Sequence, residues 1–387
     1  MVKVEVKPNV LQWVIKRMDN FDRLKDQFPN IDKWINQESQ PTLKQLEKLA
    51  KMTAVPLGYF FLPNPPEEKL RIPHYRTVRD EGAVRPSPNL LETVQTMERR
   101  QQWMRDYLIQ LGNPPLNYVG RANLSMDPKL VAQDMRRTLN LEDGWASKQS
   151  TWQEALRNLI RKTEDIGIIV VINGVVGNNT HRKLDVAEFR GFVLIDDYAP
   201  LIFINGRDGK AAQMFTLAHE LAHIWYGESA AFDLKNLQPA DAEIENACNK
   251  AAAEFLVPED ELIIIWKRVG QSEDRFEQAA RYFKVSEIVA ARRALDLNLV
   301  TKEEFFLFYE DYMKRLRQQT EQMKTSGGNF YATQTMRIGR HFAEAVISAA
   351  KEGTILYREA YQLTGLSGDT FAKFAEYVDT GRYMYEF

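Results

Sequence analysis

The chain has 387 residues, 44% hydrophobic and 27% charged, with a formal net charge of −2. That length calls for two or three domains with ordinary soluble cores, and the near-even charge balance excludes a global pull toward nucleic acid or anionic membrane. The single cysteine, Cys248, excludes an internal disulfide and favours a cytoplasmic location, and no apolar run is long enough to span a bilayer, so no membrane partner is expected.

Residues 1–65 alternate short helical patterns with turn signals: 10–18, 21–28, 31–37, 42–52 and a short piece after Pro56. Short helices joined by tight turns are the layout of a helix-turn-helix domain. Trp34, Pro41-Thr42-Leu43, Leu46, Leu49-Ala50 and Val55-Pro56-Leu57-Gly58-Tyr59-Phe60-Phe61 resemble the Cro/repressor (XRE) type. By that resemblance residues 30–37 form the recognition helix. DNA binding needs cations for phosphates and donors for base edges. Ten Lys/Arg face seven Asp/Glu over residues 1–65, and the candidate contacts are Lys33, Asn36, Gln37, Gln40 and Lys44. Asp32 and Glu38 suit instead a docking domain of the same fold that no longer reads DNA. Both readings stay open.

A proline-rich linker is expected over 66–90, following Leu62-Pro63-Asn64-Pro65. His74 falls there with no ligand-type residue at metal spacing, so it reads as structural or surface. Amphipathic helices are expected at 91–111, 128–139 and 151–163. The period then changes. Gly167-Ile168-Ile169-Val170-Val171-Ile172 reads as a buried strand, Gly174 and Gly177-Asn178-Asn179 as a turn, and 190–195 with 200–204 as a hairpin-like pair. His181 is expected in a polar, exposed loop and Asp208 as the N-cap of the next helix. An exposed edge strand in this small sheet could take an extended peptide by strand addition.

That next helix carries Thr216-Leu217-Ala218-His219-Glu220-Leu221-Ala222-His223-Ile224-Trp225. Histidines four apart share one helical face, so His219 and His223 can hold one metal ion while Glu220 serves as general base. The bland alternative is a core helix with two satisfied histidines, which would leave several buried polar groups to pair. A third ligand is required, and the helix ending at Pro258 offers Glu245, with Glu243 as competitor. Asn249, one turn after Glu245, could hydrogen-bond a ligand histidine. Glu254 reads as a surface or domain-contact residue.

Together Thr216 to Trp225 and the pattern Glu245-Asn246-Ala247-Cys248-Asn249, Ala251-Ala252, Phe255-Leu256 and Pro258 resemble the ImmA/IrrE family of metallopeptidases. The strands around Phe189-Arg190-Gly191-Phe192 and Pro200-Leu201-Ile202-Phe203-Ile204-Asn205 fit the same family. The resemblance implies a small gluzincin-like zinc peptidase domain with ligands His219, His223 and Glu245 and catalytic base Glu220. It implies one Zn2+ per chain, although His/His/Glu ligation also admits Mn2+ or Fe2+. Its implied substrate is a helix-turn-helix repressor or antitoxin-like protein. Chains that join these parts also resemble antitoxin partners of PIN-like toxins, so a DNA-binding regulator with a structural metal site is the rival reading.

Beyond Pro258, helices are expected at 262–269, 273–283 and 286–295. Arg292 and Arg293 could hold a substrate carboxylate or carbonyl, with only one able to face the cleft, but packing or salt-bridge roles are the favoured reading. Residues 301–387 look helical: 302–317, a break at Ser326-Gly327-Gly328, then 333–351, 356–363 and 370–379. This reads as a partner-binding region, with His341 too remote in sequence to count as a ligand. The expected class is α+β, mostly helical: a helix-turn-helix domain at 1–65, a linker at 66–90, a peptidase domain at 91–300 and a helical C-terminal domain at 301–387.

Overall fold

The computed structural model describes residues 3–16, 21–53, 55–66, 86–227, 242–320 and 329–381. His74, most of the expected linker and the break at 326–328 lie outside the described residues. The chain is mostly helical with one small mixed sheet and divides into two compact units, residues 1–71 with 83–94, and residues 72–82 with 95–387. Among the described residues no helix is long and apolar enough to cross a membrane.

The first unit holds α1 (Pro8–Lys16), α2 (Phe21–Gln27), α3 (Ile31–Ile35), α4 (Leu43–Thr53) and a 3-10 turn (Leu57–Phe61). Leu11, Leu24, Ile31, Trp34, Leu46 and Phe60 form its core. Thr42 and Gln45 start α4 with reciprocal bonds, Gln45 N to Thr42 Oγ1 at 3.3 Å and Thr42 N to Gln45 Oε1 at 2.8 Å, a capping box that satisfies two orphan donors. The helix expected over 30–37 is shorter, because Asn36 caps it and Gln37 turns to φ +61°.

Helix α5 covers Pro88–Gln110. It starts three residues before the expected position, because Ser87 Oγ accepts from Leu90 N and Pro88 suits the first helical position. The second unit continues with α6 (Pro128–Thr138), capped by Asp127, and α7 (Trp152–Asp165), capped by a Thr151–Glu154 capping box. Strand β1 (Ile169–Asn173) follows, then a short hairpin of β2 (Val175–Val176) and β3 (Asn179–Lys183). His181 therefore lies on a strand rather than in a loop, exposed as expected, because the Gly177-Asn178 turn folds the chain back on itself.

Strands β4 (Gly191–Leu194) and β5 (Leu201–Asn205) complete a three-stranded sheet in the order β1-β5-β4. Strand β5 is central, parallel to β1 and antiparallel to β4, with Ile169 opposite Leu201 and Val193 opposite Ile202. Every residue of these three strands is buried, and each aliphatic side chain so placed contributes roughly 1.5–3 kcal/mol. One face meets α8 (Lys210–Tyr226). Gly191 permits this contact, since a Cβ there would lie 2.5 Å from Thr216 Cγ2 and 2.9 Å from Phe203 O.

Helices α9 (Ala242–Leu256), α10 (Glu259–Val269), α11 (Arg275–Phe283), α12 (Glu287–Asp296) and α13 (Lys302–Thr320) follow. Then come α14 (Phe330–Ile338), α15 (Arg340–Lys351), α16 (Tyr357–Thr364) and α17 (Gly368–Asp379). The single helix expected over 333–351 is two, broken at Gly339 with φ +87°. There the backbone passes so close to β1 that a Cβ would sit 3.1 Å from Val170 O. Both α14 and α15 pack on β1 and belong to the same compact unit as α8.

Candidate metal centre

Helix α8 is apolar around most of its circumference, so it is buried on all sides rather than laid on a surface. That environment makes the ionisable side chains buried in it conspicuous. His219, Glu220 and His223 are 2%, 3% and 0% exposed, and a buried polar group without a partner costs free energy. The helix starts at Gly209, not under the Asp208 side chain that the sequence suggested as its cap. Asp208 Oδ1 instead accepts from Gly209 N, and its carbonyl accepts from Gln213 Nε2.

Helix α9 packs along α8 through Ile244, Cys248, Ala251 and Ala252. The small residues let the two helices approach closely, and Glu245 then falls over the histidine pair. His219 Nε2 and His223 Nε2 are 3.0 Å apart. Glu245 Oε2 lies 3.2 Å from the first and its Oε1 3.4 Å from the second. Of the two carboxylates in competition, Glu245 joins the cluster; Glu243 is exposed and outside it.

Cys248 Sγ is 3.3 Å from His223 Nδ1. Burial, reinforced by the Glu245 and Glu220 charges, pushes the thiol up, so it stays neutral. With His223 Nε2 turned to the cluster, the consistent tautomer has Nδ1–H donating to sulfur. Asn249, expected at this job, is half-buried and makes no hydrogen bond to either imidazole among the described residues. The cysteine escaped sequence reading because sulfur is a weak hydrogen-bond partner and its alanine-rich surroundings suggested plain packing.

The remaining sequence candidates fall elsewhere. Glu254 is buried rather than at the surface, paired with Arg293, whose Nε also donates to Val257 O at 3.1 Å. Arg292 points outward and pairs with Asp296. Neither arginine joins the cluster. In the first unit Lys33, Asn36, Gln37 and Lys44 are exposed, while Gln40 is half-buried and its Oε1 accepts from Val6 N at 3.3 Å.

Do these groups suit a cation? Two neutral imidazole nitrogens can share only one proton, yet a carboxylate also faces both. Three lone-pair donors are thus gathered at one point, and the donor set is that of a divalent-metal site. Tetrahedral ligands bound at ~2.0–2.1 Å stand about 3.3 Å from one another, close to the observed separations of 3.0, 3.2 and 3.4 Å. The residues fit the ion.

Residues 163–295 match the family model of the IrrE N-terminal-like domain, a peptidase family, and this stretch contains all four residues of the centre. Residues 338–377 match a domain of unknown function (DUF8813). No curated protein matches the chain.

Proposed function

We propose that the chain is a metal-dependent endopeptidase of the ImmA/IrrE type. The observation that carries this reading is the convergence of His219, His223 and Glu245, with Glu220 beside them on α8, inside the stretch that matches a peptidase family. His219, His223 and Glu245 would hold the cation, with zinc the best match to two imidazoles and a carboxylate. When bound, such an ion polarises a carbonyl and makes water acidic near neutral pH.

The protein supplies the rest. Glu220 takes the proton of the attacking water and delivers it to the departing amine, a role worth about 10²–10⁴ in rate. Its carboxylate sits at the start of β4, with Oε1 3.5 Å from where a Gly191 Cβ would be. Strand β4 is an edge of the sheet, so an extended peptide can pair with it and present its backbone to Glu220.

The substrate we assign is a helix-turn-helix repressor or antitoxin-like protein, and the first unit we assign as a helix-turn-helix module. Exposure of Lys33, Asn36, Gln37 and Lys44 supports a DNA role for that module. It also supports the rival reading of a regulator paired with a PIN-like toxin. The decisive experiment incubates zinc-loaded protein with the repressor or antitoxin encoded beside its gene. Wild type should release one defined fragment, and Glu220→Gln should lose cleavage while retaining metal. Intact partner after prolonged incubation with wild type would defeat the peptidase reading. A DNA shift unchanged by Glu220→Gln would then favour the regulator.

A further inference from the structure

A cleft of about 290 Å³ opens between α7, α14 and the first turn of α15. Its floor is apolar, made by Ile160, Ala332 and Met336, and its rim carries Arg157, Arg161 and Arg340. Two carboxylates also reach it, and both are committed. Glu154 accepts from Ser150 N at 2.9 Å and Thr151 N at 3.3 Å, which ties it to the start of α7. Glu164 accepts from His341 N and pairs with Arg340, both at 3.3 Å. Arg340 is further held by Asp165 at 2.6 Å.

The other two arginines stand one turn apart on the same face of α7. Like charges at that spacing oppose helix formation by about 0.2–0.5 kcal/mol. The lining thus sets three arginines against two carboxylates, above an apolar floor. Guanidinium groups present a planar fork of donors that matches carboxylate and phosphate oxygens.

We propose that this cleft binds a small organic anion, a carboxylate or phosphate monoester carried on a compact apolar body. The anionic end meets Arg157 and Arg161, and the apolar body covers Ile160 and Met336. The volume is at the low end of ligand pockets, which run about 300–1,000 Å³, so a single ring fits and a nucleotide does not. A bare inorganic anion would leave the floor wet. An occupant touches α7 on one side and α14–α15 on the other, segments more than one hundred residues apart in sequence. It stabilises their packing by mass action. The other face of α7, through Leu156 and Leu159, shares its core with Leu217 and Leu221 of α8.

The test uses the full chain and needs no peptidase activity. Phenyl phosphate, benzoate, inorganic phosphate and phenol are titrated by calorimetry, with the unfolding midpoint followed in parallel. Saturable binding of phenyl phosphate or benzoate is expected, with the midpoint raised. Inorganic phosphate and phenol should each bind at least about tenfold more weakly, since each lacks half of the match. Arg157→Ala/Arg161→Ala should weaken the aromatic anion by about tenfold or more. If the double variant does not fold, exposed Arg161→Ala alone should still cost several-fold. No saturable binding of either aromatic anion, or binding that the arginine variants leave intact, overturns the assignment.

Discussion

Two clusters of buried polar side chains in the second unit solve the same problem in opposite ways. At the junction of α7 and α15, Glu164 meets the Arg340 guanidinium and the His341 N–H, so an acceptor faces donors and the protein closes its own account of hydrogen bonds. Between α8 and α9, His219, His223 and Glu245 bring acceptors toward acceptors. Groups of the first kind tie distant segments together. Groups of the second kind suit a cation, and one held there would repay their desolvation. Burial alone does not separate structural from functional polarity; the complementarity of the partners does.

Substitutions at the two clusters should therefore fail differently. The largest effect is expected for Glu245→Ala, which removes one of three donors and should lower zinc retention beyond the about 10–100-fold typical of outer contacts, with the fold kept. Metal content after dialysis measures it, and stoichiometric zinc in the variant would remove Glu245 from the ligand set.

At the other cluster the readout is stability against pH. Burial pushes the Glu164 carboxyl up to about 7, against the pull of Arg340 and the His341 N–H. Its folded value lies above the ordinary value of 4.5, so the native state holds the proton more tightly than the unfolded chain. That stabilisation is complete below the unfolded value and is lost as pH rises toward 7. Glu164→Gln cannot ionise and should flatten the decline by about 2–3 kcal/mol between those limits. His341, whose value burial lowers, contributes the opposite slope in both proteins and drops out of the difference. Urea unfolding at about pH 5 and about pH 8 gives the answer; equal slopes would show that Glu164 is ionised throughout.

The smallest effect belongs to Cys248→Ala. Sulfur is a weak partner for His223 Nδ1, so zinc affinity should fall by about tenfold, the lower end for such contacts. Competition with a chromogenic chelator resolves that change, and an unaltered affinity would reduce Cys248 to a packing residue.

Much of the centre was legible in the chain before folding was considered. His219, Glu220 and His223 lie within five residues on one helix, so the period of the α-helix alone places them together. Helix α7 is announced by its amphipathic period, and β1 by its unbroken run of β-branched residues. The break at Gly339 was invisible, because glycine is tolerated in helices and only the approach of β1 to its backbone forces φ positive. The same holds for α5, whose start depends on which of several turn residues supplies the cap.

What the sequence determined by itself is whatever local geometry can decide: periodicity, caps, turns and the spacing of two imidazoles. What only the tertiary structure decided is which side chains from separate elements meet. It chose Glu245 over Glu243, put Cys248 rather than Asn249 against His223, buried Glu254 under Arg293, and brought Arg340 to Glu164. Each of these depends on the rotation and offset of one packed helix against another. Side-chain volumes summed over a whole interface set that offset, and no short window of sequence contains them.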